Sequence, residues 1–552
     1  MSLQFIFGNS GSGKSHYLYQ QIVEESIRHP EKNYLVLVPE QFTMQTQKDL
    51  CMAHPRGGIM NIDVLSFGRL AHRVFEETGK ERQPILDDEG KNLVLRKIAG
   101  NYEDELTVLK GNLKKQGYIS EVKSVISEFT QYGIDFEQLD SFMEGLNPES
   151  YLYYKLKDIR KVYEGFEDYL RDKYITKEEL LDVLSQTVPE AKMLKDSVIA
   201  MDGFTGFTPV QNRLIGELLK VCDKIMLTVE IDRREDPFVY KHPYQLFALS
   251  KQMVTSLTEV AQEVRVEIDE PVWLCKNPSY RFKENPEMAF LEEELFRYSR
   301  RKYSGEKMRS ISLHEVHTPQ EEAQYVAEEI RRLVREEGYR YREIAVIASD
   351  LSTYADALEK ACDRYEIPVF MDHKKSILLN SFVEYLRSLL VMVEQNYTYE
   401  SVFRYLRTSL CGFTRDEVDR LENYCLALDL KGFKKWDQVW VRKTPMTTKE
   451  ELEELNHLRM RFVEKLTPLH TVLKKRKKTV KEITLAVYEY LVQEKIQEQL
   501  AELEQKFQED GELALAKEYA QIYRIVLELF DKFVELLGEE EIPLKVYCEL
   551  LD

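Results

Sequence analysis

Leu3-Gln4-Phe5-Ile6-Phe7-Gly8-Asn9-Ser10-Gly11-Ser12-Gly13-Lys14-Ser15, residues 3–15, is the stretch that decides the fold. Its first five residues read as a short apolar strand, and Gly8 to Ser15 then match G-x-x-x-x-G-K-[ST] at every fixed position. The glycines let the backbone curl so that successive N–H groups point at phosphate oxygens. The helix that follows offers the positive end of its dipole to the same anion. Gly8, Asn9, Ser10, Gly11, Ser12, Gly13, Lys14 and Ser15 are therefore the expected ATP-binding residues. Lys14 is placed to bridge the β and γ phosphates and Ser15 to ligate Mg2+. A chance glycine turn is the competing reading, and the strand in front of it argues against that.

Outward from this loop, Tyr34 to Val38 form a second buried strand, followed by Pro39-Glu40-Gln41-Phe42-Thr43 and a polar helix. Ile62-Asp63-Val64-Leu65 predicts a third strand leading into a helix at Ser66-Phe67-Gly68-Arg69-Leu70. From about residue 88 to 190 the pattern is helical. Ile119, Val122, Val125, Ile126 and Phe129 share one face that Gly133 ends, Leu156, Ile159, Val162, Phe166 and Tyr169 share another, and Thr176 with Glu179 reads as a capping box. Strands resume at Val198 to Met201 and at Ile225 to Ile231. Asp202, at the end of the first, has two readings: a Walker B carboxylate that holds Mg2+ through its water shell, or an ordinary sheet terminus.

A second α/β block is expected from strands at Ser310 to Val316, Glu343 to Ala348 and Ile367 to Phe370, with a charged helix at about 321–337. Asn285 to Gly305 reads as a linker, and the chain after Tyr397 as helical. The fold class is thus α/β, helix-rich, with two RecA-like domains carrying large all-α insertions. Its expected parts are a P-loop domain at 1–90 with 191–285, a helical insertion at 91–190, a second RecA-like domain at 286–405 and a helical domain at 406–552.

A chain of 552 residues exceeds one core, at roughly 100–200 residues per domain. Its 77 Lys+Arg against 96 Asp+Glu, a net charge of -19, argue against a surface that coats nucleic acid, while leaving room for one basic channel. No run of about 20 apolar residues suggests a membrane span. The P-loop lies too close to Met1 for a cleaved leader, so a cytoplasmic location is expected. The seven cysteines are widely spaced with no C-x-x-C pair, which reads as reduced, mostly buried thiols and no metal cluster.

The segments LVPEQFTMQ (37–45), VLSFGRL (64–70), MDGFTGFTPVQ (201–211), YREIAVIASD (341–350), IPVFMD (367–372) and LENYCLALDLKGFKKW (421–436) resemble the AddB subunits of bacterial AddAB, or RexAB-type, helicase-nucleases. The resemblance runs over essentially the whole chain, and 201–211 with 421–436 are its specific segments. It implies superfamily 1 helicase architecture and a heterodimer with an AddA-like motor subunit. It further implies processing of double-stranded DNA ends for recombinational repair and recognition of Chi in the exiting single strand. A RecB-like nuclease domain and a 4Fe–4S cluster belong to the C-terminal half of such subunits. This chain stops at Glu549-Leu550-Leu551-Asp552 inside a helical block, without a D…E-x-K constellation in its closing stretch. The nuclease and the cluster are therefore expected to lie outside it, the chain being the N-terminal portion of a longer subunit or a truncated product.

Set against that family of motors, three positions depart. Gly203 follows Asp202 where a motor carries the glutamate that orients the attacking water, the strand through Glu230 and Asp232 lacks the γ-phosphate-sensing glutamine, and Ala348-Ser349 stand where an arginine is usual. The expectation is a nucleotide-binding relative that does not translocate, with no catalytic residue assigned. Glu230 or Asp232 acting as base is the alternative, as is a stand-alone DNA-stimulated ATPase or helicase. The family geometry also implies single-strand contacts from Gln41, Phe42, Ser66, Phe67, Phe204, Phe207 and Gln211, against a core reading of the phenylalanines. Lys474, Lys475, Arg476, Lys477 and Lys478 read either as duplex-phosphate contacts or as a solvated helix face. Trp436 and Trp440 read as stacking or as packing residues.

Overall fold

The computed structural model describes the chain apart from residues 80–83, 113–115, 172, 306–307, 372–375 and 445–446, so that Asp372, the end of the IPVFMD string, lies outside the described residues. Two compact units divide it, Met1–Ser312 and Leu313–Asp552.

The first unit holds β1 (Ser2–Gly8), β2 (Tyr34–Leu37), β3 (Ile62–Leu65), β4 (Ile85–Leu86), β5 (Ile175–Thr176), β6 (Val198–Met201), β7 (Lys224–Glu230), β8 (Glu267–Ile268) and β9 (Val272–Trp273). Its main sheet is parallel throughout in the order β3-β2-β6-β7-β1-β8, with β9 also beside β1, while β4 and β5 form a separate short pair. The apolar runs are continuous because helices cover both faces. Phe5, Phe7, Leu35, Leu37, Ile199 and Leu227 point into one core. Ile6, Val36, Ala200 and Met226, one residue out of phase, point into the other with Leu18 and Ile22 of the following helix.

The helices of this unit are α1 (Lys14–Arg28), α2 (Thr43–Ala53), α3 (Phe67–Thr78), α4 (Asp88–Asn101), α5 (Gln116–Tyr132), α6 (Phe136–Glu144), α7 (Tyr151–Leu170), α8 (Leu180–Thr187), α9 (Pro209–Leu219), α10 (Ala248–Glu263) and α11 (Pro286–Glu294). α4 to α7 make the helical insertion. α5 buries Ile119, Val122 and Ile126 and stops before Gly133, whose φ is +66°. Thr176 and Glu179 exchange the two capping hydrogen bonds, at 2.6 and 3.2 Å. The buried carboxylate of Asp158 on α7 accepts the N–H groups of Thr107, Val108 and Leu109, which pins the α4–α5 connection to the helical layer. The stretch from Asn285 to Gly305 is not a free linker. Pro286 and the Asn285 cap start α11 there, and the Glu287 carboxylate accepts the N–H groups of Arg309 and Ser310 at 2.8 and 2.7 Å.

In the second unit α12 (Pro319–Glu336) packs on α13 (Leu351–Arg364), and the helical run expected after Tyr397 is already under way from Ser381. α14 (Ser381–Glu394), α15 (Tyr399–Leu406), α16 (Arg415–Leu428), α17 (Phe433–Asp437), α18 (Lys449–Leu473), α19 (Val480–Gln493), α20 (Ile496–Glu509), α21 (Leu513–Leu537) and α22 (Leu544–Leu551) follow in turn.

The strands expected at Ser310 to Val316, Glu343 to Ala348 and Ile367 to Phe370 are corrected here: among the described residues none of the three joins a ladder. Apolar periodicity marks a face that wants burial, but a strand also needs a backbone partner, and these segments have none in the unit. Leu313, Ile347 and Phe370 are consequently almost wholly exposed. Ile344, Val346, Ile367 and Val369 instead wall a cavity of about 540 Å3 against Ile330 of α12 and Leu358 of α13.

Candidate nucleotide site and nucleic-acid surface

β7 lies between β1 and β6, so the loop after β1 and Asp202 after β6 open at the same edge of the sheet, one strand apart. Gly13 is the left-handed N-cap of α1, and with no side chain it leaves the first-turn N–H groups of that helix uncapped. Lys14 Nζ donates to the Asn9 carbonyl at 3.0 Å and so folds back over the loop. Burial lowers the Lys14 pKa from its ordinary value, while the charges of Glu230 and Asp202 pull it upward. Ser15 is exposed.

Three buried polar atoms around this loop, Asn9 Oδ1, Ser12 Oγ and Ser279 Oγ, have no hydrogen-bond partner among the described residues. Such groups are costly unless something polar satisfies them, and a triphosphate with its waters supplies both donors and acceptors. A cavity of about 390 Å3 opens beside Asn9, walled by the basic Arg233, Arg234 and Lys276 and by the acidic Asp232, Glu292 and Glu293, with Asn9 Nδ2 donating to Glu292 at 3.2 Å. The residues present therefore fit a nucleotide with Mg2+. No group of three or more His, Cys, Asp or Glu converges on a metal position among the described residues.

Asp202 is buried and both of its oxygens are engaged: Tyr19 donates to Oδ2 at 2.8 Å and Thr228 to Oδ1 at 2.5 Å. Gly203 has φ +78°, and a side chain there would point toward Pro39 and Phe42. Glycine takes this conformation without the strain that a side chain would bring. Asp232 accepts from Arg234 at 2.7 Å and also from Arg297. Burial by itself would raise the Asp232 carboxyl, but the Arg234 hydrogen bonds and the Arg297 charge hold it below the usual range. A carboxylate so committed is a poor proton acceptor. Glu230, paired with Gly8 across β7 and β1, is exposed and its charge reaches Lys14.

The residues read as single-strand contacts separate into two groups. Gln41 and Phe42 are exposed on the loop after β2, Phe42 at 48%. Phe67, Phe204 and Phe207 pack on one another with centroids 5.1 to 6.2 Å apart. Ser66 caps α3, and Gln211 closes a capping box with Thr208, so both side chains already serve local structure. In the second unit, Lys474 to Lys478 form the connection from α18 to α19 and not a helix face. Lys474, Lys475, Arg476 and Lys477 are exposed there, Lys477 lies 3.6 Å from Glu541, and Lys478 turns inward to the Lys475 carbonyl. Trp436 and Trp440 are core residues, 5.2 Å apart, with Trp440 stacked on Tyr424.

Sequence reading missed Arg281, Ser279 and Tyr19. A Cβ on Gly11 would stand 2.6 Å from Arg281 Cβ and 3.2 Å from Ser279 Oγ, and the Arg281 N–H donates to the Gly11 carbonyl at 3.1 Å. An arginine thus stands beside the phosphate loop after all, although Ala348-Ser349 carry none. Some 270 positions separate these partners, and no local motif announces the meeting; the only signal was the strand pair near Val272 that returns the chain to β1.

The family described as ADDB, N-terminal matches residues 5–292, and the UvrD-like helicase C-terminal domain matches residues 281–545. The B component of the ATP-dependent helicase/deoxyribonuclease of Lachnoclostridium phytofermentans is 41% identical over the whole of this chain and 48% of its own length. Proteins of the same description from Clostridium novyi and Acetivibrio thermocellus are each 32% identical with the same coverage. The chain spans about half the length of the curated relatives it matches. From the match to its N-terminal family over more than half of the sequence, the chain belongs to the AddB family.

Proposed function

We propose that this chain binds ATP with Mg2+ at its phosphate loop and acts as the DNA-binding part of a helicase-nuclease, beside an AddA-like motor. In this reading the complex processes double-strand DNA ends for recombinational repair, and the chain contributes to reading Chi in the exiting single strand without being a motor itself. One observation carries the non-motor part: an intact phosphate loop stands one strand away from Gly203, where a left-handed backbone holds no side chain and disfavours a glutamate. The description of its relatives supports the ATP, helicase and nuclease context.

Lys14, Arg281 and the open N-terminus of α1 would hold the phosphates, and Ser15 and Asp202 would hold Mg2+. A bound ATP with Mg2+ would supply a multivalent anion for these groups to hold. Gln41 and Phe42 offer single-stranded DNA a hydrogen-bonding side chain and a stacking ring, and the exposed Lys474 to Lys477 offer phosphate contacts. Residues 1–90 with 191–285 serve as the first RecA-like domain and 286–405 as part of a second. The UvrD-like match over 281–545 and the α12–α13 pair support the latter.

Anisotropy of a labelled single-stranded oligonucleotide of about 20 nucleotides tests the DNA reading. Binding that weakens steeply as salt rises is expected. Absence of binding at low salt, with and without ATP and Mg2+, contradicts it.

A further inference from the structure

Tyr19 lies on α1 one turn beyond Ser15, and its hydroxyl is the meeting point of two elements. It donates to Asp202 Oδ2 at 2.8 Å and lies 3.3 Å from Thr46 Oγ1 on α2. A phenol has one proton. With that proton on Asp202, Thr46 is the donor to Tyr19, and the hydrogen bonds run in one direction from Thr46 through Tyr19 to Asp202. Thr46, Tyr19, Asp202 and Thr228 are all buried, so the chain of hydroxyls works in a low dielectric, where such bonds are strong and their loss is felt. Each oxygen of Asp202 receives one hydroxyl and keeps a lone pair for a metal-bound water.

The other end of this hydroxyl chain lies on α2, the helix that follows the exposed Gln41 and Phe42. α2 begins where the loop with Gln41 and Phe42 ends, Thr43 Oγ1 donates back to the Glu40 carbonyl at 3.0 Å, and Pro39 and Phe42 face Gly203 beside Asp202. We propose that Tyr19 is a positioning residue that holds Asp202 for the Mg2+ of a bound nucleotide and ties α2, with the Pro39–Phe42 loop ahead of it, to occupancy of the phosphate loop. The inference rests on the ATP-binding reading above.

Tyr19→Phe removes one hydroxyl and keeps the ring. Its ATP affinity in Mg2+ is expected to fall about tenfold, the scale of one hydrogen bond to a charged group, while its affinity in EDTA stays equal to wild type. Hydrogen exchange across residues 39–53 is the second readout. Adding ATP and Mg2+ is expected to protect this segment in the wild type and to leave it unchanged in Tyr19→Phe and in Thr46→Val. The Thr46→Val variant keeps the test open should Tyr19→Phe fold poorly. Equal affinity of Tyr19→Phe and wild type in Mg2+, or protection that survives in Thr46→Val, overturns the inference. Wild-type protein that binds no nucleotide in either buffer overturns instead the reading on which it rests.

Discussion

Lys14→Ala is expected to weaken binding of ATP with Mg2+ by about a hundredfold or more, measured by calorimetric titration. In the proposed site the amine would be half of a charge pair with the phosphates. Truncating one partner of such a pair costs on the order of 2–5 kcal/mol, or about 30-fold to several thousandfold. Without nucleotide, Lys14 makes a hydrogen bond to the Asn9 carbonyl, and its burial works against its own charge. The thermal midpoint of the ligand-free protein should therefore move little, so the loss separates binding from folding. A Lys14→Ala protein that binds as tightly as wild type would remove the phosphate loop from the site.

Arg281→Ala is expected to cost about tenfold to thirtyfold in the same titration, with Arg281→Lys recovering part of the loss. The argument is electrostatic. Arg281 and Lys14 are both cations at one small loop, and the charge of Arg281 lowers the Lys14 pKa. Two like charges gathered in this way are stabilised by an anion between them. The close approach of Arg281 Cβ also explains why Gly11 has no side chain. An unchanged affinity in Arg281→Ala would mean that the 279–282 turn only packs against the loop and touches no ligand.

Much of the first unit was legible because its signals are local. β3 and β6 begin and end at the residues their apolar runs suggested, and the P-loop is contiguous. The second unit was less legible for a physical reason. Ser310 to Val316, Glu343 to Ala348 and Ile367 to Phe370 have strand composition, but a ladder depends on what lies alongside, and composition is silent about that. Some side chains had two possible employers, and their local role shows only in the structure. Gln211 and Ser66 have the chemistry to meet nucleic acid, yet both sit one position before or within a first helical turn, where capping claims them. Trp436 and Trp440 went to the core, as large rings at helical spacing usually do. Arg281 and Tyr19 were invisible for the opposite reason, since each acts through a partner far along the chain: Gly11 in one case and Asp202 in the other.

The three carboxylates at the C-terminal edge of the sheet explain why binding without turnover is the expected behaviour. Asp202 is held by two hydroxyls and Asp232 by two arginines, Glu230 is exposed with its charge acting on Lys14, and Gly203 itself supplies no side chain. Positioning the water is worth orders of magnitude in phosphoryl transfer, and it is a separate requirement from holding the phosphates. The most direct measurement is ATP turnover by the purified chain, with and without single-stranded DNA, at nucleotide concentrations shown by titration to saturate the site. The expected result is saturable binding with turnover indistinguishable from the Lys14→Ala protein, and turnover stimulated by DNA and abolished in Lys14→Ala would contradict it.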